Sequence, residues 1–160
     1  ANYLKEQSIT DFFIELGGEI VSSGINVNSK KPWKFGIEKP VDLNKTRELS
    51  YAINLKNKAL ATSGNYRKFR TDSLTGKKFV HSINPKTGLA SKSDVLSASV
   101  IADDCITADA YATAFMAMGL NKSKTIIELQ NISALLIYVD EDNSIQSYIT
   151  DDLANQISEF

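Results

Sequence analysis

The sequence predicts an α+β fold, a largely antiparallel sheet packed with helices, and three observations carry that prediction. Up to Ala102, short β-branched and aromatic runs follow one another with Gly-, Pro- and Asn-containing turns between them. From Ile106 to Asn131 the residues turn Ala-, Met- and Leu-rich, the composition of helices. After that, two short strand-like runs return. Strands therefore precede helices in blocks, whereas a doubly wound sheet alternates them.

The elements follow in order. Tyr3 and Leu4 with the polar residues after them read as the last turns of a helix that began earlier. "DFFIELGGEIVSSGI" (11–25) holds two short apolar runs around Gly17-Gly18, a pair expected to mark a bulge or a close backbone approach. "KPWKFGIEKP" (31–40) is a strand fenced by two prolines. "LSYAINLKNKALATSG" (49–64) supplies two strands joined at Lys56-Asn57, and a further strand spans 78–83. "DVLSASVIA" (94–102) alternates and is β-branched, so it is another strand. "ITADAYATAFMAMG" (106–119) is a helix that closes on Gly119, with Asn121 or Ser123 placed to cap a second helix through "KTIIELQN". "SALLIYVD" and "SIQSYIT" form a final hairpin across Glu141, Asp142 and Asn143.

Composition narrows the function classes. The chain has 160 residues, enough for one sizeable core. Its net charge of −1 supplies no basic field to hold nucleic acid. No apolar run approaches the ~18 residues of a membrane-spanning helix. The single cysteine, Cys105, rules out an intramolecular disulfide.

Three stretches hold residues that can do chemistry. In the helix from Thr107, nearly every side chain is apolar, which predicts burial all round. Asp109 and Thr113 are the exceptions, and their i, i+4 spacing puts them on one face. Their oxygens suit a hard cation such as Mg²⁺; equally, Asp109 can cap a neighbouring loop while Thr113 bonds back to its own helix. In "ATSGNYRKFR" (61–70), Ser63, Gly64 and Asn65 favour a turn whose N–H groups form an anion nest beside Arg67 and Arg70, or simply end a strand. "HSINPKTGLA" (81–90) is a turn in which Pro85 presets φ and Gly88 takes the left-handed conformation. It carries the only histidine, His81, which is either a general base near neutral pH or a structural residue.

Taken in order, "ELGGEI", "PWKFGIEKP", "ATSGNY", "HSINPKTG" and "SVIADDCITADAYATAFMAMG" resemble the ApbE family of FAD:protein FMN transferases over essentially the whole chain. The resemblance implies an ApbE-like, T-fold-like α+β fold with a cleft for FAD. It implies Mg²⁺-dependent transfer of FMN from FAD to a Thr or Ser hydroxyl of a target protein, with release of AMP. Typical targets are flavin subunits of redox-driven ion pumps, on the periplasmic side of the bacterial inner membrane, where members are often lipid-anchored. Position by position, it makes His81 the general base and Asp109 and Thr113 the metal ligands. It places Gly17, Gly18, Thr62, Ser63, Gly64, Tyr66, Asn84, Pro85, Thr87 and Gly88 along the flavin cleft. The family often has Asp where this chain has Asn84, which keeps a hydrogen-bonding group and removes a charge. Whole members are longer, so residues 1–160 are expected to form one ApbE-like portion, the C-terminal half, with an N-terminal half ahead of Ala1 completing the metal and FAD site. Two other readings share these residues: an FAD pyrophosphatase yielding FMN and AMP, and a flavin-binding module without turnover.

Overall fold

Two central strands that give alternate residues to opposite faces, with one register shift, set the layering. In the computed structural model the described residues are 1–40, 48–64, 69–71, 78–80, 83, 85, 88 and 93–160. They form α1 (Asn2–Glu6), β1 (Phe12–Leu16), β2 (Glu19–Ser23), β3 (Trp33–Glu38), β4 (Leu49–Leu55), β5 (Ala59–Gly64), β6 (Phe69–Thr71), β7 (Lys78–Val80) and β8 (Val95–Ala102). Then come α2 (Cys105–Met118), α3 (Leu120–Gln130), β9 (Ser133–Val139), β10 (Ile145–Ile149), α4 (Asp151–Ala154) and β11 (Ile157–Glu159). A six-stranded sheet runs β1-β2-β5-β8-β9-β10, a three-stranded sheet runs β11-β4-β3, and β6 pairs with β7. Every strand pair is antiparallel. The α+β expectation is met.

The large sheet is the middle of three layers. On β9, Ala134 and Leu136 join one core with the helices, whereas Leu135 and Ile137 join another with the small sheet. β8 divides the same way: Ala98 and Val100 pack with Ala112, Phe115 and Met116 of α2 and Ile127 of α3, while Ile101 packs with Ile37, Ile53 and Leu55. Val95 also faces the helices, although it is an odd number of residues from Ala98. The register shift between Val95 and Ser97 inserts one residue and makes this possible.

Local chemistry explains the joints. Gly17 (φ 70°) and Gly18 (φ 111°) form the tight β1–β2 turn, which needs positive φ at both central positions. Of the bulge or close backbone approach expected from the sequence, the bulge is not what forms: the pair is a hairpin turn. Lys56-Asn57 joins two strands, as expected, and the two lie in different sheets: β4 in the small one and β5 in the large one. The crossing is fixed by Asn57, which sits at φ 55° and accepts the Gly24 N–H on its Oδ1 at 2.7 Å. Neither Asn121 nor Ser123 caps α3. Asp94 Oδ1, 26 residues upstream, accepts the Leu120 N–H at 2.8 Å. Ser123 instead turns its hydroxyl back onto the Gly119 carbonyl at 2.7 Å. The final hairpin forms as expected, with Asp140 Oδ1 accepting the N–H groups of Asp142 and Ser144 in its turn.

Two outcomes follow for stability. Phe115 is fully buried between α2, β8 and β9, so Phe115→Ala lowers the unfolding free energy by about 3–5 kcal/mol in a denaturant titration. Asp104 caps α2, accepting the Thr107 N–H at 2.8 Å and the Thr107 hydroxyl at 3.1 Å. The backbone bond from Thr107, followed by its hydroxyl, lowers the Asp104 pKa. A carboxylate with a lowered folded pKa stabilises above its unfolded value of about 3.9, and that stabilisation disappears as pH falls through the folded pKa. Asp104→Ala therefore lowers the melting temperature at pH 7, and the gap between the two proteins closes as the medium is acidified below pH ~4.

Candidate active site

Strand alternation at the end of β5 parts two neighbouring hydroxyls. Thr62 points to the small-sheet side, where its Oγ1 lies 2.8 Å from Ser99 Oγ on β8. Ser63 points the other way, and its Oγ lies 3.1 Å from Thr113 Oγ1 on α2. The "ATSG" stretch thus serves two sites, one on each face of the sheet.

On the helix side, burial differs from expectation. Ala108, Ala112, Phe115 and Met116 of α2 are buried, but Asp109, Ala110 and Thr113 are exposed and Ile106 is 84% exposed. Alanine makes a helix apolar by composition without requiring that each face be covered; only one face of α2 meets the sheet. Asp109 is therefore not a buried carboxylate in need of a partner. It stands one helical turn from Thr113 on the open face, and Thr113 is tied to Ser63. The result is one carboxylate with two hydroxyls, all hard oxygen donors. Among the described residues no three His, Cys, Asp or Glu side chains converge. That donor set fits Mg²⁺, which uses one or two carboxylates and keeps several waters, and does not fit a closed zinc site.

Cys105, one turn before Asp109, donates its thiol to the Ile20 carbonyl at 3.4 Å. Burial pushes this thiol up from its ordinary pKa, and the carboxylates of Glu19, Asp104 and Asp109 push it further. Glu19 thus brings a carboxylate from β2 into the electrostatic neighbourhood of Cys105, a feature the linear sequence does not reveal.

On the other side, a cleft of ≈ 340 Å³ opens between the two sheets. The β1–β2 turn supplies Gly17 and Gly18, β5 supplies Thr62 and Gly64, and β3 supplies Phe35 to Glu38. Ile20 and Leu60 add apolar wall, and Glu15 adds a second carboxylate to that of Glu38. No basic side chain lines it among the described residues. The Phe35–Glu38 wall escaped the sequence reading as individual site residues, since a strand fenced by prolines shows nothing of which face meets a cavity. Ser97 of β8, paired with Gly64, is 1% exposed, and among the described residues its Oγ has no hydrogen-bond partner. A buried hydroxyl left unpaired costs about 1–3 kcal/mol.

The remaining expected positions are unevenly placed. Pro85 lies in a turn and is exposed, and Gly88 is exposed with φ 67°, the left-handed conformation anticipated for it. His81, Tyr66, Asn84 and Thr87 lie outside the described residues. No described helix is long and apolar enough to cross a membrane.

Similar proteins share both sequence and fold. An FAD:protein FMN transferase of Vibrio cholerae is 36% identical over 149 residues, which is 92% of this chain and 42% of that protein. One from Haemophilus influenzae is 34% identical over 137 residues, 86% of this chain and 38% of that protein. The solved structure of the flavin transferase ApbE from Vibrio cholerae superposes with a TM-score of 0.78 at 31% identity, covering 97% of this chain and 47% of that one. The apo flavinyl transferase ApbE of Pseudomonas stutzeri shares the fold, with a TM-score of 0.76 at 22% identity. The chain spans less than half the length of these relatives. Residues 1–136 match the ApbE family, and with the motif order, the three-layer fold and these relatives in agreement, the chain belongs to that family.

Proposed function

We propose that the protein acts in Mg²⁺-dependent flavin transfer, moving FMN from FAD to a Thr or Ser hydroxyl of a target protein and releasing AMP. The observation that carries the reading is the division of labour at the end of β5. A glycine-walled cleft with carboxylates at Glu15 and Glu38 lies on one face, and an oxygen-donor cluster of Ser63, Thr113 and Asp109 lies on the other. A dinucleotide with a flat ring and a charged pyrophosphate needs both environments, joined around one strand end. The relatives' name, FAD:protein FMN transferase, supports a flavin dinucleotide as donor.

Each residue then has a task. The glycine pairs and Phe35–Ile37 leave a slot with apolar walls for the ring, and Thr62 is held in position by Ser99. Asp109 and Thr113 hold Mg²⁺, which when bound neutralises pyrophosphate charge and eases attack at phosphorus. His81 takes the proton of the acceptor hydroxyl. A bond forms from the acceptor oxygen to the phosphorus on the FMN side, the bridging P–O bond breaks, and its electron pair departs on AMP. A free hydroxyl is a weak nucleophile at neutral pH, so the base matters most at this step.

The test mixes the intact protein with FAD, Mg²⁺ and a target domain and follows in-gel flavin fluorescence on the target. Fluorescence that disappears when the acceptor Thr becomes Ala supports transfer. FMN and AMP appearing with an unlabelled target indicate a pyrophosphatase instead, and FAD binding with no turnover indicates a binding module. Asp109→Asn lowers the transfer rate roughly 10²–10³-fold and removes the rise in melting temperature caused by Mg²⁺ with ADP. His81→Ala lowers kcat about 10²–10⁴-fold and flattens the limb of the pH–rate profile that rises through pH ~6.5.

A further inference from the structure

A hydroxyl on a helix has a ready partner of its own, the carbonyl one turn earlier. In the helical layer that bond forms twice. Ser123 donates to the Gly119 carbonyl at 2.7 Å, and Thr125 donates to the Asn121 carbonyl at 3.2 Å. Thr113 departs from the pattern. Among the described residues its hydroxyl pairs not with the Asp109 carbonyl but with Ser63 Oγ on β5, 3.1 Å away. A hydroxyl drawn off its own helix onto a strand calls for a reason.

Packing fixes both ends of this bond. Ser63 is half-buried and pairs with Ala98 of β8, so the strand ladder sets where its hydroxyl points. On α2, Ala108 and Ala112 are fully buried, which seats the helix on the sheet and holds the exposed Asp109 and Thr113 beside it. A hydroxyl carries one proton and two lone pairs. A cation is attracted to the lone pairs and repels the proton, so a threonine that serves a cation has to send its proton to an acceptor on another side. Ser63 Oγ is that acceptor. With the proton directed at the strand, the lone pairs of Thr113 Oγ1 stay free on the helix face that Thr113 shares with Asp109.

We propose that Ser63 is a positioning residue of the cation site: its Oγ accepts the Thr113 proton and keeps the lone pairs of Thr113 on the face shared with Asp109. This rests on the cation reading above and goes beyond it by naming the group that orients one of its ligands. The experiment titrates the intact protein with Mn²⁺ alone, followed by the EPR signal of the metal. It compares the unsubstituted form with Ser63→Ala, Ser63→Thr, Thr113→Val and the double variant Ser63→Ala/Thr113→Val. Ser63→Ala weakens Mn²⁺ binding roughly 10–100-fold, and Ser63→Thr, which returns a hydroxyl acceptor, restores it. In the Thr113→Val background, Ser63→Ala has no further effect, because the residue through which it acts is gone. A serine that merely clips sheet to helix lowers the melting temperature and leaves Mn²⁺ affinity unchanged, and that result overturns the inference. An equal loss in both backgrounds also overturns it, since Ser63 would then meet the cation itself. If the unsubstituted protein binds no Mn²⁺, or Asp109→Asn binds it as tightly, the cation reading fails and the inference with it. If Mn²⁺ binds at Asp109 but no flavin is transferred, the transfer reading fails and the role of Ser63 stands.

Discussion

The antiparallel ladder of β5, β8 and β9 is the constraint on which the rest depends. Each strand gives alternate residues to the helices and to the small sheet, so one ladder builds two cores at once. Because the period is two, a slip of one residue would send Leu135 and Ile137 toward the helices and expose Thr62 to the wrong layer. The register that buries the cores also puts Ser63 against Thr113 and Thr62 against Ser99. Core and site are thus specified by the same pairing.

This geometry assigns the polar residues to two environments with opposite electrostatic demands. Asp109 sits where water reaches it, so it avoids the desolvation penalty of burial and is accessible to a cation. The cleft opens between strands of the two sheets, and among the described residues its carboxylates are Glu15 and Glu38.

Much of the fold was legible because its signals are local. The alternation of Val95–Ala102, the caps and turns of the last hairpin, and Gly119 closing α2 all depend on neighbouring residues. Misreadings occurred where a distant group decides. Gly17-Gly18 resembles a strand irregularity until its two flanks are seen to pair with each other. That the strands joined at Lys56-Asn57 belong to different sheets shows only in the fold, where Asn57 accepts the Gly24 N–H. The alanines of α2 suggest burial on every side, yet a helix is covered only where another layer meets it. At the site, the i, i+4 pair Asp109 and Thr113 was visible from spacing, whereas the split of Thr62 from Ser63 and the Phe35–Glu38 wall required the sheet register.

The cap of α3 has a consequence for how the molecule assembles. Gly119 offers no side chain to the first turn of that helix, and the acceptor for the Leu120 N–H comes from Asp94, just ahead of β8. The start of α3 is therefore incomplete until β8 and α2 have come together, and on its own the segment lacks that cap. Secondary structure here is conditional on tertiary contact, which couples the melting of α3 to that of the central sheet. A disturbance at the β8 end of the ladder, close to Ser97, would be felt in a helix that touches neither the cleft nor the oxygen cluster.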